Sequence, residues 1–315
     1  YFITLLVSIL LGLSLLYYGK KNIKKINFIE QLVLIICVYA LTSVLISIPF
    51  YLSNYQVTFL NSIFESISGL TGTGFSIFKE IKYLDPTLIL WRSSSQWVGG
   101  LFFLFFLIII FSNKSFNYKM TNLTYSQENN YNSEINIKNN LLRIFIIYSL
   151  LSLGILSLLN LSGVRLFNSL NLTMTLISGG GFLPIESITK IISTNFQKII
   201  LILSLIISLL NLYLIFNIFN RNILIKEHKE DLYLILLSII FCSLIYFNDY
   251  KGLDIIISVI SSLANSGLTL MKPDNNLSLY FLFITIIGGS LISNSSGIKL
   301  TRFYILLKIT SLEII

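Results

Sequence analysis

Phe64-Glu65-Ser66-Ile67-Ser68-Gly69-Leu70-Thr71-Gly72-Thr73-Gly74-Phe75 is the stretch whose reading decides the fold. An apolar, helix-forming segment, 61–70, runs straight into a run of small residues and glycines. The same plan recurs twice. Residues 168–177 lead into Ser178-Gly179-Gly180-Gly181-Phe182, and residues 254–264 lead into Asn265-Ser266-Gly267-Leu268. Asn61, Asn168 and Asp254 are the expected N-caps, because their side chains can accept the first free N–H groups of a helix. Another apolar segment follows each glycine run. The unit is therefore span, short helix, glycine loop, span, three times over.

The physical reading is a re-entrant pore loop. A half-helix stopping at membrane depth presents its negative C-terminal end, about half an elementary charge, which favours a cation. The backbone that follows must turn its carbonyls toward a pore axis, through angles that glycine adopts most cheaply. Rings of carbonyls can replace the hydration shell of K⁺. On this reading Thr71, Gly72, Thr73, Gly74, Ser178, Gly179, Gly180, Gly181, Asn265, Ser266 and Gly267 line a selectivity filter. A single such segment is ordinarily a glycine-rich surface loop. Three matched copies on one side of a membrane argue against that.

Composition supports the membrane setting. Of 315 residues, 55% are hydrophobic and 11% charged, and the mean hydropathy is +0.82. Soluble domains carry about 25% charged residues, so lipid must face much of this chain. The apolar runs are too long and too little alternating for barrel strands, leaving an all-α polytopic fold. Expected spans are 2–18, 32–52, 88–111, 141–161, 199–219, 232–247 and 277–292.

The gaps between spans are of two kinds. The lysine-rich gaps 20–25, 114–143 and 221–231 and the flank 299–308 hold fourteen Lys/Arg. The glycine-bearing gaps 53–86, 162–198 and 248–276 hold seven. The positive-inside rule places the first kind in the cytoplasm and the second outside. The formal charge of +8 thus reads as topology, and no nucleic-acid partner is expected. The resulting organisation is a preceding helix and cytoplasmic linker (1–26), pore repeat 1 (27–113), a cytoplasmic loop (114–140), repeat 2 (141–221) and repeat 3 (222–315). The sequence begins at Tyr1 and ends at Ile315, both in apolar runs, and both ends are expected to be truncations.

Cys37, Cys242 and His228 are too few and too scattered for a zinc or haem site. No covalently bound cofactor is expected, only K⁺ as the transported ion. Glu65 lies in the first half-helix, and an ionisable group at membrane depth is a functional candidate. Its residues leave two roles open: an acid near the outer pore, or an acceptor for backbone N–H groups behind the filter. Arg92, beside Trp91, reads as an interfacial anchor. The polar break Ser293-Asn294-Ser295-Ser296-Gly297, followed by Lys299 and Arg302, cannot continue a lipid-facing helix. Alone it is either an intramembrane loop or a helix end with snorkelling basic residues.

Two other functions compete with a channel. A polytopic enzyme such as a lipid-linked transferase would need convergent acids, a nucleophile or a metal cluster. A broken-helix secondary transporter would show paired interruptions inside spans, whereas the glycines here lie between spans.

The residues resemble a known family. The string Phe64 to Gly74 and the string Trp91-Arg92-Ser93-Ser94-Ser95-Gln96-Trp97-Val98-Gly99-Gly100 look like the first pore loop and following helix of the Trk/Ktr/HKT potassium transporters, TrkH type. Ile287-Gly288-Gly289-Ser290 through Ser293 to Arg302 looks like the inner helix of the family's third repeat. The sequence departs from the family pattern at Gly72, which interrupts its threonine run, and at Ser296, which replaces one glycine of its break. The resemblance implies four repeats around one pore, the fourth following Ile315. It implies potassium uptake across the cytoplasmic membrane and not an enzyme. It makes Glu65 a pore-helix acid and the 293–302 segment a gate. It further implies a homodimer and a cytoplasmic nucleotide-binding regulatory subunit, with membrane lipid around the chain.

Overall fold

The computed structural model describes residues 1–20, 27–111, 133–211, 229–246, 252–271 and 275–314. Among them are eleven α-helices: α1 Phe2–Gly19, α2 Phe28–Tyr51, α3 Phe59–Thr71, α4 Pro86–Phe111, α5 Ser133–Leu161, α6 Leu166–Ile177, α7 Asn195–Leu209, α8 Lys229–Tyr246, α9 Gly252–Ala264, α10 Asn275–Ile287 and α11 Leu300–Ile314. Their lengths divide them by task. Four segments, in α1, α2, α4 and α5, are long and apolar enough to cross a membrane. The expected half-helices α3, α6 and α9 have 13, 12 and 13 residues. At about 1.5 Å per residue, such a helix reaches only about two thirds of a ~30 Å hydrocarbon core. It must end inside.

The half-helices start differently from the expectation. Thr58, not Asn61, caps α3, its hydroxyl accepting the Asn61 N–H at 3.4 Å. Helix α6 begins at Leu166 after Arg165, without a side-chain cap, so Asn168 lies inside it. Asp254 lies in the first turn of α9 and is paired with Lys198 of α7 at 2.6 Å.

Two helices end inside their expected spans, and residues 212–219 of the first span lie outside the described residues. Helix α7 stops at Leu209, with Leu210 extended at ψ 160°, instead of continuing to 219. Helix α10 stops at Ile287 instead of 292, because Gly288 takes φ +71°. The segments 112–132, 212–228 and 247–251, with His228 and most of the lysine-rich gaps, lie outside the described residues. Helix α5 begins at Ser133, so the end of the expected 114–140 loop is helical.

Each half-helix packs on the spans of its own unit. Helix α3 lies against α2 and α4, α6 against α5 and α7, and α9 against α8 and α10. The units join through α4 on α6 and α7 on α9. The outer surface is apolar: Leu10, Ile36 and Leu150 are each more than 60% exposed, as a lipid-facing wall requires. The inner contacts are made by small residues. Buried Ser62 and Ser66 return their hydroxyls to Phe59 and Ile63 carbonyls of their own helix.

Helices α3 and α4 pack closely, main chain against main chain. A Cβ added at Gly99 would lie 1.9 Å from the Leu70 carbonyl oxygen, and one at Gly69 would lie 2.1 Å from Ser95 Oγ. The first neighbour is main chain and cannot swing away. Gly99→Ala is therefore expected to cost about 1–3 kcal/mol by overpacking, read as a lowered unfolding midpoint in detergent. Gly12→Ala, where nothing lies within 4 Å, is the control. Equal midpoints for the two variants would refute the contact.

Candidate functional site

The three half-helices end alike. The first residue after the helix, or the next but one, is left-handed: Gly72 at φ +71°, Gly179 at +69° and Asn265 at +56°. Each of these N–H groups returns to the carbonyl three residues earlier: Gly72 to Gly69, Gly179 to Leu176, Asn265 to Ser262. In the second and third copies the following N–H closes a longer bond, Gly180 to Thr175 and Ser266 to Ser261. In the first copy the Thr73 hydroxyl donates to the Ser68 carbonyl at 3.3 Å instead. This is the helix-ending geometry that satisfies orphan carbonyls and reverses the chain. Asparagine tolerates the left-handed region, which explains a third loop without glycine at that position.

The loops converge. A Cβ on Gly74 would lie 3.4 Å from Gly181 Cα and N, and one on Gly181 would lie 2.6 Å from the Ser266 carbonyl oxygen. A Cβ on Gly72 would lie 3.8 Å from Ser178 O. Backbone from all three copies thus meets with no side chain between. Gly74 and Gly267 are left-handed, at φ +77° and +66°, and Gly181 is not; the three expected equivalents share a place in the chain but not one backbone conformation.

Helix α4 backs two of the loops. Glu65 is fully buried. It accepts the Arg92 Nε–H at 2.8 Å, the Ser76 hydroxyl at 2.9 Å and the Ile77 N–H at 2.9 Å. Arg92 Nη2 donates to Ser76 Oγ at 2.8 Å, and its guanidinium lies over the Phe182 ring at 4.3 Å. Arg92 is 1% exposed, so it is no interfacial anchor. It neutralises the buried acid and presses on the second loop. Of the two roles open for Glu65, this geometry is that of an acceptor pinning the chain just past the first loop. One turn later, Gln96 Oε1 accepts the Phe182 N–H at 3.2 Å. Gly100 then admits Ser178, whose Cβ would lie 2.9 Å from a Cβ there.

Beneath the second loop lies the polar break, which starts at Gly288, earlier than read. Gly288 and Gly297, both left-handed, face each other at its base, a Cβ on Gly297 falling 2.8 Å from Gly288 Cα. Asn294 donates its amide to the Ile177 carbonyl, the last of α6, at 2.8 Å. Its own carbonyl would sit 2.9 Å from a Cβ on Gly179. Lys299 is buried. Its ammonium donates to Ser293 O at 3.1 Å, to the Ser293 and Ser295 hydroxyls at 3.2 and 3.1 Å, and to Ser295 O. A buried ammonium here is matched by oxygens of the break itself and closes it into a compact loop. Ser296 and Gly297 are exposed, and so is Arg302, which makes no hydrogen bond to the loop among the described residues.

The two interrupted inner spans touch at their breaks. The Ser290 N–H donates to the Leu209 carbonyl at 3.1 Å. The first residues of α8 hold both from below: Asp231 accepts the Asn211 N–H at 3.0 Å, and Glu230 accepts those of Leu291 at 3.2 Å and Thr301 at 3.3 Å. Sequence reading missed Gln96, Glu230 and Asp231. The signal for Gln96 was its spacing, since Arg92, Gln96, Gly99 and Gly100 fall on one helical face.

No family model matches the chain. It is 27% identical over 282 residues to an uncharacterized cation transporter of Methanocaldococcus jannaschii, spanning 85% of this chain and 56% of the relative. It is 24% identical to the Trk system potassium uptake protein TrkG of Escherichia coli, over all of this chain and 68% of that protein. A 55-residue stretch is 42% identical to the Trk system potassium uptake protein TrkI of Halomonas elongata, spanning 18% of this chain and 11% of that protein. Among solved structures, the potassium transporter TrkH from Vibrio parahaemolyticus superposes with a TM-score of 0.75 at 19% identity, over 93% of this chain and 63% of that one. The chain thus spans between about half and two thirds of the length of the full-length relatives it matches.

Proposed function

We propose that this chain, whose relatives and fold support the Trk-type potassium transporter superfamily, takes up potassium across the cytoplasmic membrane through a channel-like pore. The observation that carries the reading is the meeting of three half-helix ends, backbone to backbone, at Gly74, Gly181 and Ser266. Three negative helix termini pointed at one place favour a cation there, and main-chain carbonyls are the ligands for K⁺. The loop 288–299 beneath is the gate, held shut by Lys299. A homodimer and a nucleotide-binding regulatory subunit on the lysine-rich face complete the proposal, and these rest on the family alone.

A broken-helix transporter shows paired interruptions of its helices, and here helices α7 and α10 end after Leu209 and Ile287. The three converging loops favour the channel, because a broken-helix site has no need of three matched half-helices.

Rubidium uptake by the complete protein in a potassium-transport-deficient host tests the function, and its absence in well-expressed protein refutes it. Orientation is tested separately. A cysteine at position 80, in an exposed stretch after the first loop, should be labelled from outside, and one at position 128 should not. The reverse pattern would overturn the pore-loop reading.

A further inference from the structure

We infer that Gln96 is a positioning residue for the second glycine loop, orienting the Gly181 carbonyl and so tuning which monovalent cation the loops accept. The inference rests on the filter reading above and deepens it. Gln96 is fully buried on α4. Its Oε1 accepts the Phe182 N–H, 86 positions away in the chain. The assignment of the amide is fixed by that bond, since an N–H donor requires the oxygen.

The Phe182 N–H belongs to the same peptide plane as the Gly181 carbonyl. In a trans peptide the two point in opposite directions. Pinning the N–H to α4 therefore aims the Gly181 carbonyl away from α4. Gly181 is also where the second loop touches the first and third, against Gly74 and Ser266. One side chain thus sets the direction of a carbonyl at the meeting point of the three loops.

Two further observations point the same way. A Cβ on Gly180 would fall 2.4 Å from Gln96 Cδ, 2.5 Å from Oε1 and 2.6 Å from Nε2, so the amide lies flat against that residue. Gly180 is not among the left-handed glycines, so Gln96 accounts for its missing side chain. Meanwhile Gln96 Nε2 is buried without a hydrogen-bond partner among the described residues. An apolar side chain of the same shape would fill the space without stranding an amide. The acceptor, not the volume, is what this position supplies.

The test uses the complete transporter in a potassium-transport-deficient host, reading the ratio of rubidium to sodium uptake apart from surface yield and unfolding midpoint. Gln96→Met keeps the shape and removes the acceptor. It strands the Phe182 N–H, so it should reach the membrane with a modestly lowered midpoint, and it should lose about fivefold in the ratio, the factor that about 1 kcal/mol of lost orientation would give. Gln96→Glu keeps a carboxyl oxygen for the Phe182 N–H and should retain most of the ratio. Gly180→Ala displaces the amide and should lose the ratio as Gln96→Met does. An unchanged ratio in folded Gln96→Met, or in Gly180→Ala should Gln96→Met not fold, overturns the positioning role provided Gly74→Ser has lost its preference. If Gly74→Ser keeps its preference as well, the filter reading itself has failed.

Discussion

Gly181→Ser in the complete transporter is expected to lower the preference for K⁺ over Na⁺ by about tenfold or more, with surface expression retained. Its new Cβ would fall 2.6 Å from the Ser266 carbonyl oxygen, so one of the two loops must move. About 1.4 kcal/mol of differential coordination is a factor of ten, and on the proposed filter reading displacing one coordinating carbonyl reaches that. Gly74→Ser should follow. Its φ of +77° costs a side chain roughly 1 kcal/mol, while its Cβ would make only ordinary contact with Gly181, at 3.4 Å. Gly267→Ser should be mildest, for there φ is +66° but nothing lies within 4 Å. Gly12→Ser, in open space on α1, is the control. Competitive rubidium and sodium uptake measures the series. Unchanged preference in all three variants would remove the physical basis of the potassium assignment, and a reversed order would refute the steric account of it.

The second large effect is on stability. Removing either partner of the Glu65–Arg92 pair should destabilise the fold by about 3–5 kcal/mol, because each leaves an uncompensated buried charge. Both side chains are almost wholly excluded from solvent, at 2% and 0% exposure. Glu65→Gln strands a guanidinium between the first and second loops. Arg92→Met strands a carboxylate that still accepts from Ser76 and Ile77. The double variant removes both charges and should recover part of the loss, since apolar or neutral replacements of a buried pair are often tolerated. Thermal unfolding in detergent, with surface yield, reads all three. Single variants as stable as the parent would show that the pair is not buried as described.

The repeat was legible because its signals are local: apolar runs of half-helix length ending in glycine. Start sites were less so. Asn61 and Thr58 are both good caps, and only the geometry of the first turn selects Thr58. Arg92 was misplaced because Trp91 beside it suggested an interface. What buries the guanidinium is Glu65, 27 positions away, a distance that pattern reading does not reach. The end of α7 was invisible for a different reason. Leu209, Leu210 and Asn211 contain no glycine or proline, and the helix is halted where Asp231 and Ser290 take up the main chain on either side. The early end of α10 did carry its signal, since Gly288 and Gly289 stand there, but the apolar residues around them masked it. The polar break was legible as a break; that Lys299 would be held inside it rather than snorkel to a surface depends on four oxygens that only the folded loop assembles.

The bond between the Ser290 N–H and the Leu209 carbonyl is made by main chain on both sides. An alanine scan would pass over it in silence, because every residue but proline offers the same donor. Such a scan would score the two interrupted helices as separate genetic loci, each with its own tolerant and intolerant positions. Yet the backbone ties them, so suppressors of a lesion in one break are to be sought in the other.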